Sequence, residues 1–150
     1  MKLKTAVFRF VVDKVEINLA NGKKIFGDLV KPRTCEGVVL FAHGSGSSRK
    51  SPRNQLVAKE LQNNNYATIL MDLLTEEEAT QRENIFDCEL LANRLNEVSQ
   101  WIENDSDLYH FPVALFGAST GAGAALIAAA NSPHRYQAVI SRGGRPDLAK

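Results

Sequence analysis

The stretch that most constrains this chain is Phe116-Gly117-Ala118-Ser119-Thr120-Gly121-Ala122-Gly123. The apolar run Val113 to Phe116 stops at Gly117, and the small-residue run Ala122 to Ala130 follows. The first predicts a buried strand and the second a helix packed closely on a sheet. The joint between them is Gly-x-Ser-x-Gly, the signature of a sharp strand-to-helix turn. Such a turn holds its central residue in a strained backbone state, and glycine at both flanks removes side chains that would collide there. The Ser119 hydroxyl is then pushed out above the sheet at the start of a helix. The N–H of Thr120 points the same way and is suited to stabilise an oxyanion.

Three readings of this joint stand side by side. In one, Ser119 is a nucleophile. In another, Gly117, Gly121 and Gly123 form G-x-x-x-G-x-G, which resembles the cofactor turn of short-chain dehydrogenases. In the third, the stretch is a glycine-rich βα turn with no chemistry.

A chain of 150 residues with 44% hydrophobic and 23% charged residues fits one domain, 1–150, with its own core. The net charge of +1 indicates no nucleic-acid or polyanion partner. Cys35 and Cys88 show no metal-ligand spacing and are expected as free thiols, so no metal is called for. The start, Met1 to Thr5, leads into Ala6 to Val12, which Arg9 interrupts. That stretch is too short for a signal peptide, and no segment is long enough to cross a membrane, so a cytoplasmic protein without membrane partners is expected.

Along the chain, Val7 to Val12 is expected as an edge strand. Val15, Ile17 and Leu19 alternate with polar residues at the period of a half-buried strand. Asn21-Gly22 marks a tight turn, Ile25 and Leu29 lie on the returning strand, and Lys31-Pro32-Arg33 ends an antiparallel hairpin. Gly37 to Ala42 is a continuous apolar run, hence a strand buried on both faces. It empties into His43-Gly44-Ser45-Gly46-Ser47-Ser48, whose small residues let backbone N–H groups face a neighbouring site. Ser45 is the candidate for a second oxyanion donor. Ser51-Pro52 fits the N-cap and first position of a helix, with Leu56, Val57 and Leu61 as its apolar face and Asn63-Asn64-Asn65 as its stop. Ala67 to Met71 is the next buried strand. The run Glu76-Glu77-Glu78 is expected as a solvated loop or helix start. Phe86, Leu90, Leu91, Leu95, Val98, Trp101 and Ile102 keep helical spacing and predict one long amphipathic helix, closed by Asn104 to Asp107, with Trp101 in the core. Ala138 to Ile140 is a final short strand, from which Gly143-Gly144 turns away.

The order is a hairpin, then alternating strands and helices, with a glycine-rich loop after one strand and Gly-x-Ser-x-Gly after another. Together with Phe41 to Ser48, Ser51-Pro52-Arg53-Asn54, Met71 to Thr75, Phe116 to Gly121 and Ser141 to Ala149, this order resembles the dienelactone-hydrolase-like group of small bacterial α/β hydrolases. The resemblance implies an α/β fold: a mostly parallel sheet with an N-terminal antiparallel hairpin and helices on both faces, lacking the last two strands of the family. It also implies hydrolysis of a carboxylic ester or related acyl bond in a small-molecule substrate, without cofactor or metal. Ser119 would be the nucleophile, and the N–H groups of Thr120 and Ser45 the oxyanion hole. Dienelactone hydrolase itself uses a cysteine nucleophile. Here that position is Ser119 and neither cysteine is placed near it, so the dienelactone substrate does not carry over. The dehydrogenase reading weakens, because its glycine turn should follow the first strand and a Tyr-x-x-x-Lys pair should come later. Here the turn is late, and the residue four places after Tyr136 is Ile140.

A serine nucleophile needs a base and a group that orients it. In the family, acid and histidine follow two strands beyond the Arg-Pro-Asp segment, which this sequence does not include. His43 lies at the correct end of its strand, but in the family this position shapes the oxyanion loop. His110 precedes the Ser119 strand, and His134 follows a helix that runs about 18 Å away from the site. Asp147 follows the last strand at the correct end of the sheet and is a candidate acid, although this group places its acid one strand later and a loop-shaping role fits better. The competing hypothesis is a non-catalytic α/β-hydrolase remnant that binds a partner or small ligand. The Ala138 to Ile140 strand would form an open edge, so pairing between copies of the chain is expected.

Overall fold

The computed structural model describes residues 8–149. Met1 to Val7 and Lys150, including the first residue of the expected edge strand, lie outside them. In chain order the elements are β1 (Phe10–Asn18), β2 (Lys24–Pro32), β3 (Gly37–Ala42), α1 (Pro52–Asn63), β4 (Tyr66–Met71), α2 (Glu76–Ala79), α3 (Arg82–Phe86), α4 (Cys88–Asn104), β5 (Val113–Ala118), α5 (Thr120–Asn131) and β6 (Tyr136–Arg142). A 3₁₀ turn, Pro146–Ala149, follows. The strands form one sheet in the order β1-β2-β4-β3-β5-β6. β1 and β2 pair antiparallel, as do β2 and β4, and the pairs from β4 through β3 and β5 to β6 are parallel.

The opening hairpin is simpler than expected. The two segments taken as separate strands, Val7 to Val12 and Val15 to Leu19, are one continuous β1, paired from Phe10 opposite Pro32 to Asn18 opposite Lys24. Asp13 and Lys14 do not break it, because both lie exposed on an edge strand where a charged side chain costs nothing. Val15 and Ile17 turn inward while Val11 and Val12 remain exposed.

β3 is buried along its whole length, which its unbroken apolar run requires. On one face, Leu40, Ile69 and Leu115 pack against Leu91, Leu95, Val98 and Ile102 of α4 and Ala124, Ala125 and Ala128 of α5. On the other, Val39, Phe41, Leu70 and Phe116 meet Val57, Ala58 and Leu61 of α1. Full burial of each Leu or Ile in this core contributes about 2 kcal/mol. The alanines let α5 approach the sheet closely, and that places the end of β5 directly against the helix start.

Two helix assignments change. Leu56 is 72% exposed and is not part of the buried face of α1. Asn54, Val57, Ala58 and Leu61 share that face at helical spacing, and Leu56 falls off it. Phe86 belongs to α3, not to the long helix, and is exposed. The break arises at Asp87, whose carboxylate accepts the Leu90 N–H at 2.9 Å and starts α4 afresh. Trp101 sits half-buried at the rim of the core.

Candidate active site

The carboxyl ends of β3, β4, β5 and β6 converge on one rim of the sheet, and β5 there turns directly into α5 at Ser119. Ser119 holds φ 53° and ψ −120°, a conformation that favours glycine. The neighbouring glycines explain why it is held there. A Cβ at Gly117 would lie 2.5 Å from the Ala122 Cα, and one at Gly121 would lie 2.3 Å from the Ala42 carbonyl oxygen. The strand, the helix start and the β3 exit pass too close for any side chain. Ser119 N–H donates to the Arg142 carbonyl at 3.2 Å, and the Ser119 carbonyl accepts from Ala122 N–H at 3.0 Å. The side chain does not cap the helix and is exposed at the rim.

Thr120 is the first residue of α5, so its N–H is one of the donors that a helix start leaves without an intrahelical partner. The His43–Ser48 loop lies alongside. A Cβ built on Gly44 would sit 3.3 Å from the Ser119 Cβ and 3.9 Å from its Oγ. Gly44, from the first loop singled out in the sequence, therefore borders Ser119 from the second, 75 positions later in the chain, and Ser45 follows it in the loop.

Two clamps shape that loop, one buried and one half-buried. Leu73 N–H donates to His43 Nε2 at 3.2 Å, and His43 Nδ1 lies 3.0 Å from the Gly44 carbonyl oxygen. A peptide N–H can only donate, so Nε2 accepts and the ring proton sits on Nδ1, donated to Gly44. Both ring nitrogens are committed to backbone. Burial lowers the pKa of His43, outweighing the Gly44 hydrogen bond and the Asp72 charge, which raise it. The second clamp is Asp72, which accepts Arg49 N–H at 2.8 Å and pairs with the Arg49 guanidinium. That guanidinium also reaches Asp28 at 3.3 Å. Sequence reasoning gave neither Asp72 nor Arg49 a role. Their separation of 23 positions leaves no local signal.

Beside the loop lies a cleft of about 300 Å³. Gly44 to Ser48 form one wall, and Leu74, Ala79, Ile85 and Leu91 line the other. Ser119 is not among the lining residues; it adjoins the cleft at Gly44. The Glu76-Glu77-Glu78 run begins a helix, the second of the two alternatives expected for it, but Glu78 is turned inward rather than solvated. Thr75 Oγ1 accepts the Glu78 N–H, and Glu78 accepts the Thr75 N–H in return. Glu78 further pairs with Arg94 at 2.8 Å and Lys23 at 3.4 Å. Burial would raise its pKa, but the Thr75 hydrogen bond and the two cations bring it below the usual value.

The other candidates divide clearly. His110 and His134 are exposed on segments that enter β5 and β6, at the end of the sheet opposite Ser119. Asp147 is exposed and held in a two-point pair by Arg145, at 2.9 and 2.7 Å. Hydrogen bonding and charge from Arg145 lower its pKa. No described histidine is hydrogen-bonded to Asp147. One expectation is corrected. Cys88 is not remote from the serine turn, because its thiol donates to the Thr120 carbonyl at 3.7 Å from beneath α5. It is buried behind the turn rather than opposite the Ser119 hydroxyl's exposed face, and burial with the charges of Asp87, Glu89 and Asp147 raises its pKa. Among the described residues no cluster of metal-ligating side chains occurs, and no helix is long and apolar enough to cross a membrane.

Comparison with known proteins agrees with this geometry. An esterase family model matches residues 37–147, which span the loop, the serine turn and Asp147. A dienelactone hydrolase of Anabaena variabilis is 50% identical, with a TM-score of 0.89 over 95% of this chain and 67% of its own. An esterase of Pyrococcus furiosus, 18% identical, shares the fold with a TM-score of 0.74 over 90% of this chain and 50% of its own. Proteins from two strains of Mycobacterium tuberculosis, which carry the provisional name phosphoribosyl transferase, are 55% identical over 125 residues. Those residues are 83% of this chain, and the chain spans 28% of the length of these relatives. With its sheet order, its serine turn and its family match in agreement, the chain belongs to the esterase family of α/β hydrolases.

Proposed function

We propose that this chain carries the nucleophile half of a serine hydrolase acting on a carboxylic ester or related acyl bond. The observation that carries the proposal is Ser119, exposed and strained between β5 and α5, with Gly44 against it and Ser45 next in the same loop. The Ser119 oxygen attacks the carbonyl carbon, and the displaced electron pair gathers on the carbonyl oxygen. The N–H groups of Thr120 and Ser45 stabilise that charge. Collapse expels the alcohol, which takes up the proton that Ser119 gives up, and water then releases the acid from the acyl-enzyme. The free thiols of Cys35 and Cys88 suit a reducing cytoplasm. The phosphoribosyl transferase name belongs to relatives of which this chain matches 28%, and it bears little on this segment. The glycine turn follows β5 rather than the first strand, which does not suit nicotinamide binding.

A second reading has its own observation. His43 is locked to backbone, and His110 and His134 lie across the sheet, so none of the three histidines reaches Ser119 as its base. A ligand-binding role without catalysis follows if none is supplied from outside these residues. Labelling with a fluorophosphonate probe separates the two. Covalent labelling that disappears in Ser119→Ala supports the hydrolase. An unlabelled chain that is folded by circular dichroism supports the binding role.

A further inference from the structure

The cleft beside Ser119 has a sidedness in polarity and charge. Its loop wall presents Ser45, Ser47 and Ser48, and its far wall presents Leu74, Ala79, Ile85 and Leu91. At about 300 Å³ it lies at the small end of ligand clefts. A short apolar arm fits there. The only charged residues among those lining it are Asp72 and Glu76. The Asp72 charge is matched by Arg49, which Asp28 shares with it. Glu76 is exposed and unmatched among the described ion pairs, and Glu77 beside it reaches only Lys23, at 4.0 Å. Glu78 is matched by Arg94 and Lys23. Net negative charge therefore remains at the α2 rim. Arg142, the cation whose backbone holds the serine turn, does not line the cleft. Its guanidinium donates to Asn54 Oδ1 at 3.2 Å and lies over the Phe116 ring.

We propose that the cleft takes an uncharged ester with a compact apolar arm, seated against Leu74, Ala79, Ile85 and Leu91, and turns away esters that carry a carboxylate. This rests on the acyl-hydrolase reading of Ser119 and specifies its substrate class. The physical reason is that a substrate carboxylate would be stripped of water against an apolar wall, face the Glu76 charge and find no cation among the described lining residues, the nearby Arg49 being taken by Asp72 and Asp28.

The test compares two esters of the same length, methyl butyrate and monomethyl succinate, with the 150-residue chain. Binding is followed at the Ile85 methyl by carbon-13 NMR, with Ile85→Val to assign the signal. Methyl butyrate is expected to shift the Ile85 signal, and monomethyl succinate to bind on the order of tenfold more weakly. Glu76→Lys is expected to narrow that gap. Equal or tighter binding of the succinate ester, or no response of Ile85 to methyl butyrate in the folded chain, overturns the proposal. Fluorophosphonate labelling run in parallel keeps the two claims apart. An unlabelled chain whose Ile85 still selects methyl butyrate supports the cleft's selectivity and removes the nucleophile. A labelled chain whose Ile85 does not respond does the reverse.

Discussion

At the scale of single residues, the informative feature is that Ser119 is a non-glycine residue where the backbone favours glycine. Its φ of 53° is shared, among the described non-glycine residues, only by Asn65 at 68° as a positive value. Conformations of this kind cost about 1–3 kcal/mol and persist where the surroundings over-determine them. Here the surroundings are backbone, namely the Ala42 and Ala122 atoms packed against Gly121 and Gly117. Ser119→Gly is therefore expected to raise stability by about 1 kcal/mol while abolishing probe labelling. Ser119→Ala keeps the strain and loses only the labelling. Urea denaturation of the three proteins checks this, and a destabilised Ser119→Gly would show that the turn is not strained. His43 teaches a different lesson. It lies at the strand end nearest Ser119, yet both ring nitrogens serve the backbone, and it acts through the shape of the loop, the role that the family resemblance implies.

At the scale of elements, the cleft's outer wall depends on the short α2. Four residues cannot hold a helix by propensity alone. The reciprocal Thr75 and Glu78 hydrogen bonds, with the Glu78 to Arg94 pair behind them, fix it to α4. Thr75→Ala is expected to cost about 1 kcal/mol in denaturant stability. It should also speed amide exchange in 75–86 before it does so in β3 or β5. Unchanged exchange there would mean that packing alone holds the wall. β6 poses the opposite problem. Among the described residues it pairs only with β5, and Ile140 on it is 42% exposed. An open, partly apolar edge recruits another strand. The 150-residue chain is expected to self-associate through β6 as its concentration rises, as seen by light scattering. Lys in place of Ile140 should weaken that association, and a clean monomer at high concentration would count against it.

At the scale of the whole molecule, pH dependence comes from His43 and Glu78. The folded chain keeps His43 neutral, so below the ordinary imidazole pKa of about 6.5 the unfolded chain binds a proton that the folded chain refuses. Stability is expected to fall as pH drops below that value, down to the depressed folded pKa of His43. Glu78 acts in a lower window. Its lowered pKa contributes stability that is full above the ordinary carboxylate value and is lost as pH falls through the folded one. Denaturant titrations at pH 7.5 and 5.5 check the first effect, with His43→Gln expected to flatten the slope between them. An unchanged slope would mean that His43 is not the group responsible.

The sequence by itself determined the elements whose cause is local. The apolar run of β3, the Ser51-Pro52 start of α1, the Asn21-Gly22 turn and the glycines around Ser119 each act within a few positions, through burial period, capping or steric room. For the same reason Ser119 and the loop with Ser45 could be singled out before any fold was known. Local pattern failed where two signals overlapped. Phe86 keeps the spacing of α4, but the Asp87 cap cuts it off, and Leu56 is apolar yet points away from the sheet. The tertiary structure alone decided which distant residues meet. Asp72 reaches Arg49 across 23 positions, Cys88 reaches Thr120 across 32, and the far wall of the cleft is held in place by the Glu78–Arg94 pair that ties α2 to α4. Those contacts arise from strands crossing over in the order β4-β3-β5, which brings chain ends to one rim regardless of their distance in sequence. No spacing rule records such a contact, because the energy that selects it comes from packing the whole sheet.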